Sequence, residues 1–394
     1  MSRDHLETIW RAGVEACLPE RVVPPFLPAA PAGRTLLLAL GKAAVPMARA
    51  VESRWDGPLC GLAVTPHGSE ATLDRTAVLG AAHPVPDGAS VAAAGRLLAL
   101  AREAGPDDLV LVLLSGGASA LACLPGPGLA LDEKRRLTAA LLRGGASVGA
   151  INCVRRHLSA IKGGRLALAA APARLLTLAI SDVVGDAPED IGSGPTAPDP
   201  TSAADARAVL ARHRIAVPER GWSETPTSVP GEYRLVARGA DALAAAAAAA
   251  RRLGYKVRLL ECEGEAREVG RDHAALALRA APGTALISGG ELTVTVSGRG
   301  HGGPNQEYAL AAAVALAARP AICGLAADTD GIDGDGEAAG AFFAGGGAPG
   351  GEAALANNDS GSWFAARGGL FVTGPTGTNV SDLRIVLVKP GGCG

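Results

Sequence analysis

The stretch LVLVLLSGGASALACLP, residues 109–125, decides the fold class. Its first six residues are all aliphatic, so they lack the alternation of a strand with one wet face and predict a strand covered on both faces. Ser115, Gly116 and Gly117 then form a polar turn, and a segment of small residues with helical character follows. A covered strand that leads through a glycine-rich turn into a helix is typical of β-α-β units, which build mostly parallel sheets.

The same rhythm of strand, turn and helix recurs on both sides of this stretch. It breaks only at residues 219–233, where ERGWSETPTSVPGEY is polar, contains proline and has no periodicity, so we assign a linker there. We predict two α/β domains, 1–225 and 234–394, of which the first is a larger, Rossmann-like, mostly parallel sheet with helices on both faces. The predicted strands are 35–40, 62–64, 76–79, 109–114 and 175–180, followed by 234–237, 256–260, 284–288, 292–296, 322–326, 370–372 and 385–388.

Composition narrows the class of protein. The chain has 394 residues, more than one core usually holds, and 48% of them are hydrophobic, which argues against disorder. A net charge of −2 gives no reason to expect nucleic acid or an anionic membrane as partner. The start has no signal-peptide core, and no apolar run is long enough to span a membrane. Seven scattered cysteines without CxxC spacing indicate reduced thiols, so we expect a cytoplasmic enzyme.

The turns after the strands are the places to look for chemistry, because ligands of open α/β sheets bind beyond the carboxyl ends of the strands. In TLLLALGKAAVPMA, residues 35–48, Gly41 permits a tight turn and Lys42 stands at a helix start, where an ammonium suits a phosphoryl group. A surface lysine is the plainer alternative, and the spacing is not that of a Walker A loop. The 115–117 turn offers bare amides and a hydroxyl, which suit the binding of an anion. The equally good alternative is a plain βα turn whose glycines serve close packing.

Two further segments of the first domain carry charge. NCVRRHLSAIKGGRLA, residues 152–167, places Arg155 and Lys162 on one helical face, where cations suit a carboxylate or a polyphosphate. A solvated basic helix is the alternative. Asp182 follows the strand 175–180, and a carboxylate there can act as a base or a magnesium ligand, or only as a cap.

A glycine pattern in the second domain resembles a dinucleotide-binding turn. In SGRGHGGPNQEYAL, residues 297–310, Gly298, Gly300 and Gly303 fit the spacing GxGxxG between a predicted strand and a predicted helix. The pattern is weak when it stands alone. Asn305, at the start of that helix, is a candidate cofactor-binding residue.

Two more turns of the second domain are rich in polar groups. Asp328 and Asp330 lie on a glycine-rich loop after a strand, and such carboxylates suit Mg²⁺ shared with phosphates, whereas a solvated turn is the alternative. Between the last two predicted strands, Thr376, Gly377 and Asn379 offer donors with little bulk, which indicates an anion or nucleotide loop.

Nine motifs in order along nearly the whole chain resemble the class of glycerate 2-kinases that combine a DUF4147 domain with a C-terminal MOFRL domain. They are GKA at 41–43, HPVPD at 83–87, LSGGASAL at 114–121, RRHLSAIKGGRLA at 155–167, SDVVGD at 181–186, GSGPTAPDP at 192–200, GGPNQEYAL at 302–310, ADTDGIDG at 327–334 and GPTGTNVSDL at 374–383. Each motif alone is weak, but nine in order are specific.

The resemblance implies phosphorylation of D-glycerate at its 2-hydroxyl, with ATP and Mg²⁺, to give 2-phosphoglycerate at a site in the cleft between the domains. It implies that Lys42 is catalytic. We expect Asp182 and one of Asp328 and Asp330 to hold Mg²⁺ or orient the 2-hydroxyl, and Arg155 to pair with the glycerate carboxylate. Glycerate and ATP are the expected binding partners. The sequence does not decide between a monomer and a homodimer.

Two questions remain open at this stage. Many members of the family carry a functional arginine before Asn-Gln-Glu, where this chain has Pro304, so Arg299, His301 or Arg155 is left to supply the charge. The alternative function is an NAD(P)H-dependent hydroxypyruvate reductase, a label that the family also carries, which would use the glycines of 298–303. Two absences argue against the reductase: the sequence shows no evident His/Glu-type proton-donor pair, and the first βαβ unit has no GxGxxG turn.

Overall fold

The structure is a computed structural model that describes residues 2–316 and 319–389. Cys393 lies outside these ranges, and the six described cysteines are free thiols. The strands are β1 Thr35–Leu40, β2 Leu59–Pro66, β3 Thr76–Ala81, β4 Leu109–Leu114, β5 Arg174–Ile180, β6 Glu232–Ala237, β7 Lys256–Leu260, β8 Thr284–Gly289, β9 Ile322–Asp328, β10 Gly340–Ala344, β11 Leu370–Phe371 and β12 Asp382–Val388.

Of the α-helices in the described residues, two precede β1, and the others lie between strands, as the rhythm of the sequence predicts. They are α1 Ser2–Ala16, α2 Pro19–Val22, α3 Ala44–Glu52, α4 Gly88–Arg102, α5 Ala118–Leu121, α6 Leu131–Arg143, α7 Val148–His157, α8 Arg165–Ala170, α9 Ala203–Arg212, α10 Gly239–Arg252, α11 Ala266–Arg279, α12 Pro304–Leu316, α13 Gly351–Ala356 and α14 Ser360–Ala365. In the described ranges, none of them has the length and apolar character that crossing a bilayer requires.

The chain divides into two compact units, one comprising Pro19–Val236 and the other the residues up to Leu18 together with those from Ala237 onward. The sequence-based division instead places the first residues with 1–225. The difference has a physical reason, because α1 buries Leu6, Ile9 and Trp10 in the same core as the second sheet. The indole of Trp10 also packs edge-on against Phe371, with the ring centres 5.0 Å apart.

The first unit is built on a six-stranded sheet in the order β3-β2-β1-β4-β5-β6. The neighbouring strands from β3 to β5 are parallel, as predicted. Both β1 and β4 are buried along their whole length, which explains their continuous aliphatic sequences. The strand order reverses at β1, so the turns after β1 and β4 flank the switch point where α/β sheets open a crevice.

The second unit contains a mixed six-stranded sheet in the order β11-β10-β9-β12-β8-β7, in which only β7 and β8 pair in parallel. The predicted strand at 292–296 is wrong. Those residues form a single bridge, from Thr293 to Glu265, and the amide of Thr295 donates to the Glu265 carboxylate at 2.7 Å. The sheet uses β10 instead, which the sequence hides because Gly340 lies tightly against the Ala326 carbonyl and lacks any strand propensity.

Gly41, directly after β1, is a position where the first sheet leaves no room for a side chain. Its φ is +126°, and a Cβ there would lie 2.5 Å from the carbonyl oxygen of Ser115. We expect Gly41→Ala to lower the free energy of unfolding by about 2–3 kcal/mol, because strain and overlap act together. Urea unfolding of the purified protein measures this.

Gly95→Ala is the matched control, because a Cβ at Gly95 meets open space inside α4. Alanine there should leave stability unchanged or raise it by up to about 1 kcal/mol, since it favours the helix. Equal stability of the Gly41 and Gly95 variants would contradict the steric argument.

Candidate active site

The turns after β1 and β4 are joined by hydrogen bonds. The backbone N–H of Lys42 donates to the Gly116 carbonyl at 2.8 Å, and the N–H of Ala43 donates to Ser115 Oγ at 3.0 Å. The Ser115 side chain is fully buried, so its hydroxyl holds the two turns together. The predicted phosphate cradle at 115–117 therefore depends on backbone that the Ser115 hydroxyl fixes in place.

Gly117 brings Lys42 and the motif HPVPD to the same point. This glycine has φ +82° and precedes α5, and a Cβ on it would lie 3.0 Å from the His83 ring and 3.4 Å from Lys42 Cγ. The side chains of Lys42 and His83 thus flank the turn after β4. Lys42 is half-buried, on the edge of the sheet where ligands bind in this fold.

Asp182 lies two residues beyond β5, at the same edge. Because β5 pairs in parallel with β4, with Ala179 opposite Leu114, the chain after β5 emerges on the side of the sheet where the 115–117 turn lies. Asp182 is partly buried. A carboxylate at this edge has the chemistry of a general base or a magnesium ligand.

A cavity of about 530 Å³ lies in the first unit and is rich in cations. It is lined by Pro84, Val85, Pro86, Ser119, Ala120, Cys123, Lys134, Arg135, Arg136, Thr138, Ala139, Leu142, Arg155 and Lys162. Two of the predicted site residues, Arg155 and Lys162, are among them. Pro84 follows His83 directly, so the cavity begins beside the residues that flank the 115–117 turn.

The cations of the cavity are held mainly by neutral oxygens. Lys162 Nζ donates to the carbonyls of Ser119 at 2.8 Å and Ala122 at 3.0 Å, so it fastens α5. Arg155 ends α7, and its Nη1 lies 3.4 Å from Asn152 Oδ1. Burial lowers the pKa of Lys162 to about 7, and it also lowers the pKa of Arg155.

Lys134 is a cavity residue that the analysis of motifs missed. Its Nζ donates to the carbonyls of Leu158 at 2.6 Å and Arg155 at 3.2 Å, at the end of α7. Burial lowers its pKa to about 8. The chain has few lysines, and this scarcity is the sequence signal that could have pointed to Lys134. The residue lies in an ordinary amphipathic helix outside the nine motifs, which is why the motifs do not reveal it.

In the second unit, the loop after β9 and the loop before β12 are bound together. Thr376 Oγ1 donates to the Thr329 carbonyl at 2.5 Å, and the Thr376 N–H donates to the Asp330 carbonyl at 3.0 Å. Gly377 has φ +88°. The Asn379 side chain is almost fully buried and accepts the Ser381 N–H at 3.2 Å. The structure thus brings Asp330, Thr376 and their neighbours into one loop pair.

The fit of this loop pair to Mg²⁺ rests on two carboxylates. Asp328 Oδ1 accepts the N–H of Asp330 at 2.9 Å, and Asp330 Oδ1 accepts the N–H of Ile332 at 2.8 Å. Over residues 2–316 and 319–389, no group of three or more His, Cys, Asp or Glu is arranged to hold a metal. Mg²⁺ in kinases commonly takes one or two carboxylates with substrate phosphates and water, so the pair has a suitable donor chemistry.

Asn305 lies at the start of α12, and its buried Oδ1 has no hydrogen-bond partner in the described residues. Its side chain is buried, and Nδ2 donates to Asp382 Oδ1 at 2.6 Å and to Asp333 Oδ1 at 3.3 Å. Asp333 also accepts the N–H groups of Asn305 and Gln306, so it caps the start of α12. Burial raises the pKa of Asp333 to about 7.

The GxGxxG pattern does not form a dinucleotide turn. Within the described residues, no strand runs directly into it, because β8 ends at Gly289 and residues 292–296 are irregular. A Cβ on Gly298 would meet the Asn357 backbone, and one on Gly303 would meet Asp333, so these glycines serve close packing.

The residues considered for the missing arginine charge lie near this segment. Pro304 is the first residue of α12, where proline is well tolerated. His301 is exposed and pairs with Asp335 at 2.8 Å, and this hydrogen bond raises the pKa of His301. Arg299 is also exposed. Arg155, in the first unit, lines the cavity instead.

Comparison with known proteins places the chain in a family. Residues 5–222 match a domain of unknown function, DUF4147, and residues 284–382 match the MOFRL family. An Agrobacterium vitis protein, provisionally named hydroxypyruvate reductase, is 45% identical over 98% of this chain and 94% of its own length. The D-glycerate 2-kinase of Thermotoga maritima is 39% identical over 96% of this chain and 97% of its own length.

A solved structure agrees with these matches. The crystal structure of glycerate kinase from Thermotoga maritima superposes with a TM-score of 0.87, at 38% identity, covering 98% of this chain and 99% of the other. The predicted two-sheet α/β fold is therefore confirmed. The chain belongs to the DUF4147 and MOFRL family, the family of the glycerate 2-kinases that its nine motifs resemble.

Proposed function

We propose that this chain is a kinase that uses ATP and Mg²⁺ to phosphorylate D-glycerate at its 2-hydroxyl, giving 2-phosphoglycerate and ADP. The observation that carries the proposal is the meeting of the Lys42 turn with the 115–117 turn at the switch point of the first sheet. The relatives named glycerate 2-kinase, at 38–39% identity over most of the chain, support the same activity. A location in the cytoplasm stays a prediction from the sequence.

Phosphoryl transfer depends on positioning and charge neutralisation, and each proposed role follows from this. The 2-hydroxyl oxygen forms a bond to the γ-phosphorus while the bond from that phosphorus to the bridging oxygen of ADP breaks. Asp182 takes the hydroxyl proton, and Lys42 neutralises charge on the transferring group. Arg155 pairs with the substrate carboxylate.

The nucleotide contacts are proposed from both polar loop systems. The 115–117 backbone and Lys162 are the proposed phosphate contacts in the first unit, and Thr376, Gly377 and Asn379 those in the second. Asp328 and Asp330 are the proposed Mg²⁺ ligands, and the ion would neutralise phosphate charge when bound. Asn305, at the start of α12, is a further proposed contact of the nucleotide, through the buried Oδ1 that no described residue satisfies.

One assay separates this function from its rival. Purified protein with D-glycerate, ATP and Mg²⁺ should consume ATP and yield 2-phosphoglycerate, which ³¹P NMR distinguishes from the 3-phosphate. The rival is the hydroxypyruvate reductase named for the Agrobacterium vitis relative. Oxidation of NADH with hydroxypyruvate, and no ATP consumption with glycerate, would overturn the kinase proposal.

Lys42→Ala should lower kcat by about 10²–10³-fold, because a cation next to the transferring phosphoryl group is lost. The fold should persist, since the turn is held by backbone atoms and Ser115. Steady-state kinetics and a thermal melt check both statements. Lys256→Ala removes an exposed lysine of β7 and serves as the control. Turnover equal in the two variants would remove Lys42 from the mechanism.

Asp182→Asn should lower kcat by about 10²–10⁴-fold with a nearly unchanged KM for ATP, because the amide cannot accept the hydroxyl proton. Asp186→Asn is the control in the same loop, where φ is +54° and asparagine is well tolerated. If Asp182 instead binds the metal, activity of the variant should recover at high Mg²⁺. Full activity at ordinary Mg²⁺ would exclude both roles.

A further inference from the structure

The charged residues that line the 530 Å³ cavity are all cations. Five of its lining residues are cationic, and none of the described lining residues is a carboxylate; the cations are Lys134, Arg135, Arg136, Arg155 and Lys162. Arg135 is paired with Asp132, at 2.9 Å, but Asp132 is largely exposed outside the cavity wall. Arg136 is exposed, whereas Lys134, Arg155 and Lys162 are buried or half-buried and hydrogen-bond only to neutral oxygens in the described residues. Buried charges are normally offset by a partner of opposite charge, so these three give the cavity wall an excess of positive charge.

The two lysines are the most buried of these cations. Lys134 is 4% exposed and Lys162 is 2% exposed. An ammonium has three donors, and for each lysine two of them go to carbonyl oxygens of the first unit. Carbonyl oxygens solvate the charge without neutralising it, so the third donor of each protonated lysine remains for a ligand.

We propose that this cavity is an oxyanion site, in which Lys134 binds a carboxylate or phosphate group of the ligand together with Arg155 and Lys162. The inference rests on the proposed kinase function, which offers two sources of such a group, the acid substrate and the nucleotide. Lys134 has a second effect in this arrangement. Its bonds to the carbonyls of Leu158 and Arg155 fix the end of α7, from which the Arg155 side chain extends.

An oxyanion at this position should be bound together with a proton. Burial holds the pKa of Lys134 near 8 and that of Lys162 near 7, so both are partly neutral at pH 8. The groups that act on Lys134 are Cys123 beside α5, Arg155 on α7 and Arg165 on α8, and the two arginines disfavour its charge. A bound anion favours the charge and raises both pKa values, so affinity should fall as pH rises from 7 to 9.

Isothermal titration calorimetry with D-glycerate and with ADP, each alone, tests the site on the full chain. Lys134→Met should weaken one of the two ligands by at least about 10-fold, and the ligand affected identifies the source of the oxyanion. Arg143→Met removes an exposed cation from the same helix and should weaken neither. Unchanged affinity for both ligands in the Lys134 variant would overturn the proposal.

A second measurement needs no variant and so does not depend on how the variant folds. Titration of the same ligand into the unaltered protein at pH 8, in buffers with different ionisation enthalpies, should show net proton uptake. Absence of uptake would remove the lysines from the site. Kinase activity with an unaffected Lys134 variant would reject this site alone, whereas ligand binding without any ATP consumption would reject the kinase function alone.

Discussion

The contact between the turns after β1 and β4 is the constraint on which the first unit depends. Leu40 and Leu114 are register partners, so the next residues of both strands start level with each other. There is space for only one side chain between them, and Ser115 takes it while Gly41 supplies none. The backbone of Lys42 is thus held by the turn after the neighbouring strand β4, through its N–H bond to the Gly116 carbonyl.

The cation cavity next to this contact shows how buried charge can be stabilised without a counter-ion. Lys134 and Lys162 bond to carbonyls at the ends of α7 and α5, where helices leave acceptors unsatisfied. Each lysine thereby stabilises a helix end, and desolvation still lowers its pKa. The arrangement is stable enough to fold and retains the capacity to bind an anion.

Much of the fold could be predicted from local pattern, because β1 and β4 are aliphatic throughout and each runs directly into a glycine-rich turn. The second sheet was harder to predict from local sequence pattern. Residues 292–296 alternate between apolar and polar side chains as a strand should, but the backbone amide of Thr295 donates to the Glu265 carboxylate instead of a neighbouring strand. In β10, Gly340 has low strand propensity, and only its close packing explains its presence there. The attachment of α1 to the second sheet involves contacts more than 300 residues apart in sequence, which no local pattern reveals.

Candidate site residues were predictable by position at the sheet edge, but their roles depended on burial. Ser115 has the hydroxyl of a ligand-binding residue, and the structure uses it to hold a turn. Asn305 instead bonds Asp382 through Nδ2 and keeps a buried Oδ1 without a partner in the described residues. Lys134 lies in an ordinary helix, and the structure places it in the cavity wall. A polar residue after a strand therefore has two possible functions, contact with the ligand or support of the backbone that makes the contact, and only its hydrogen-bond partners distinguish them.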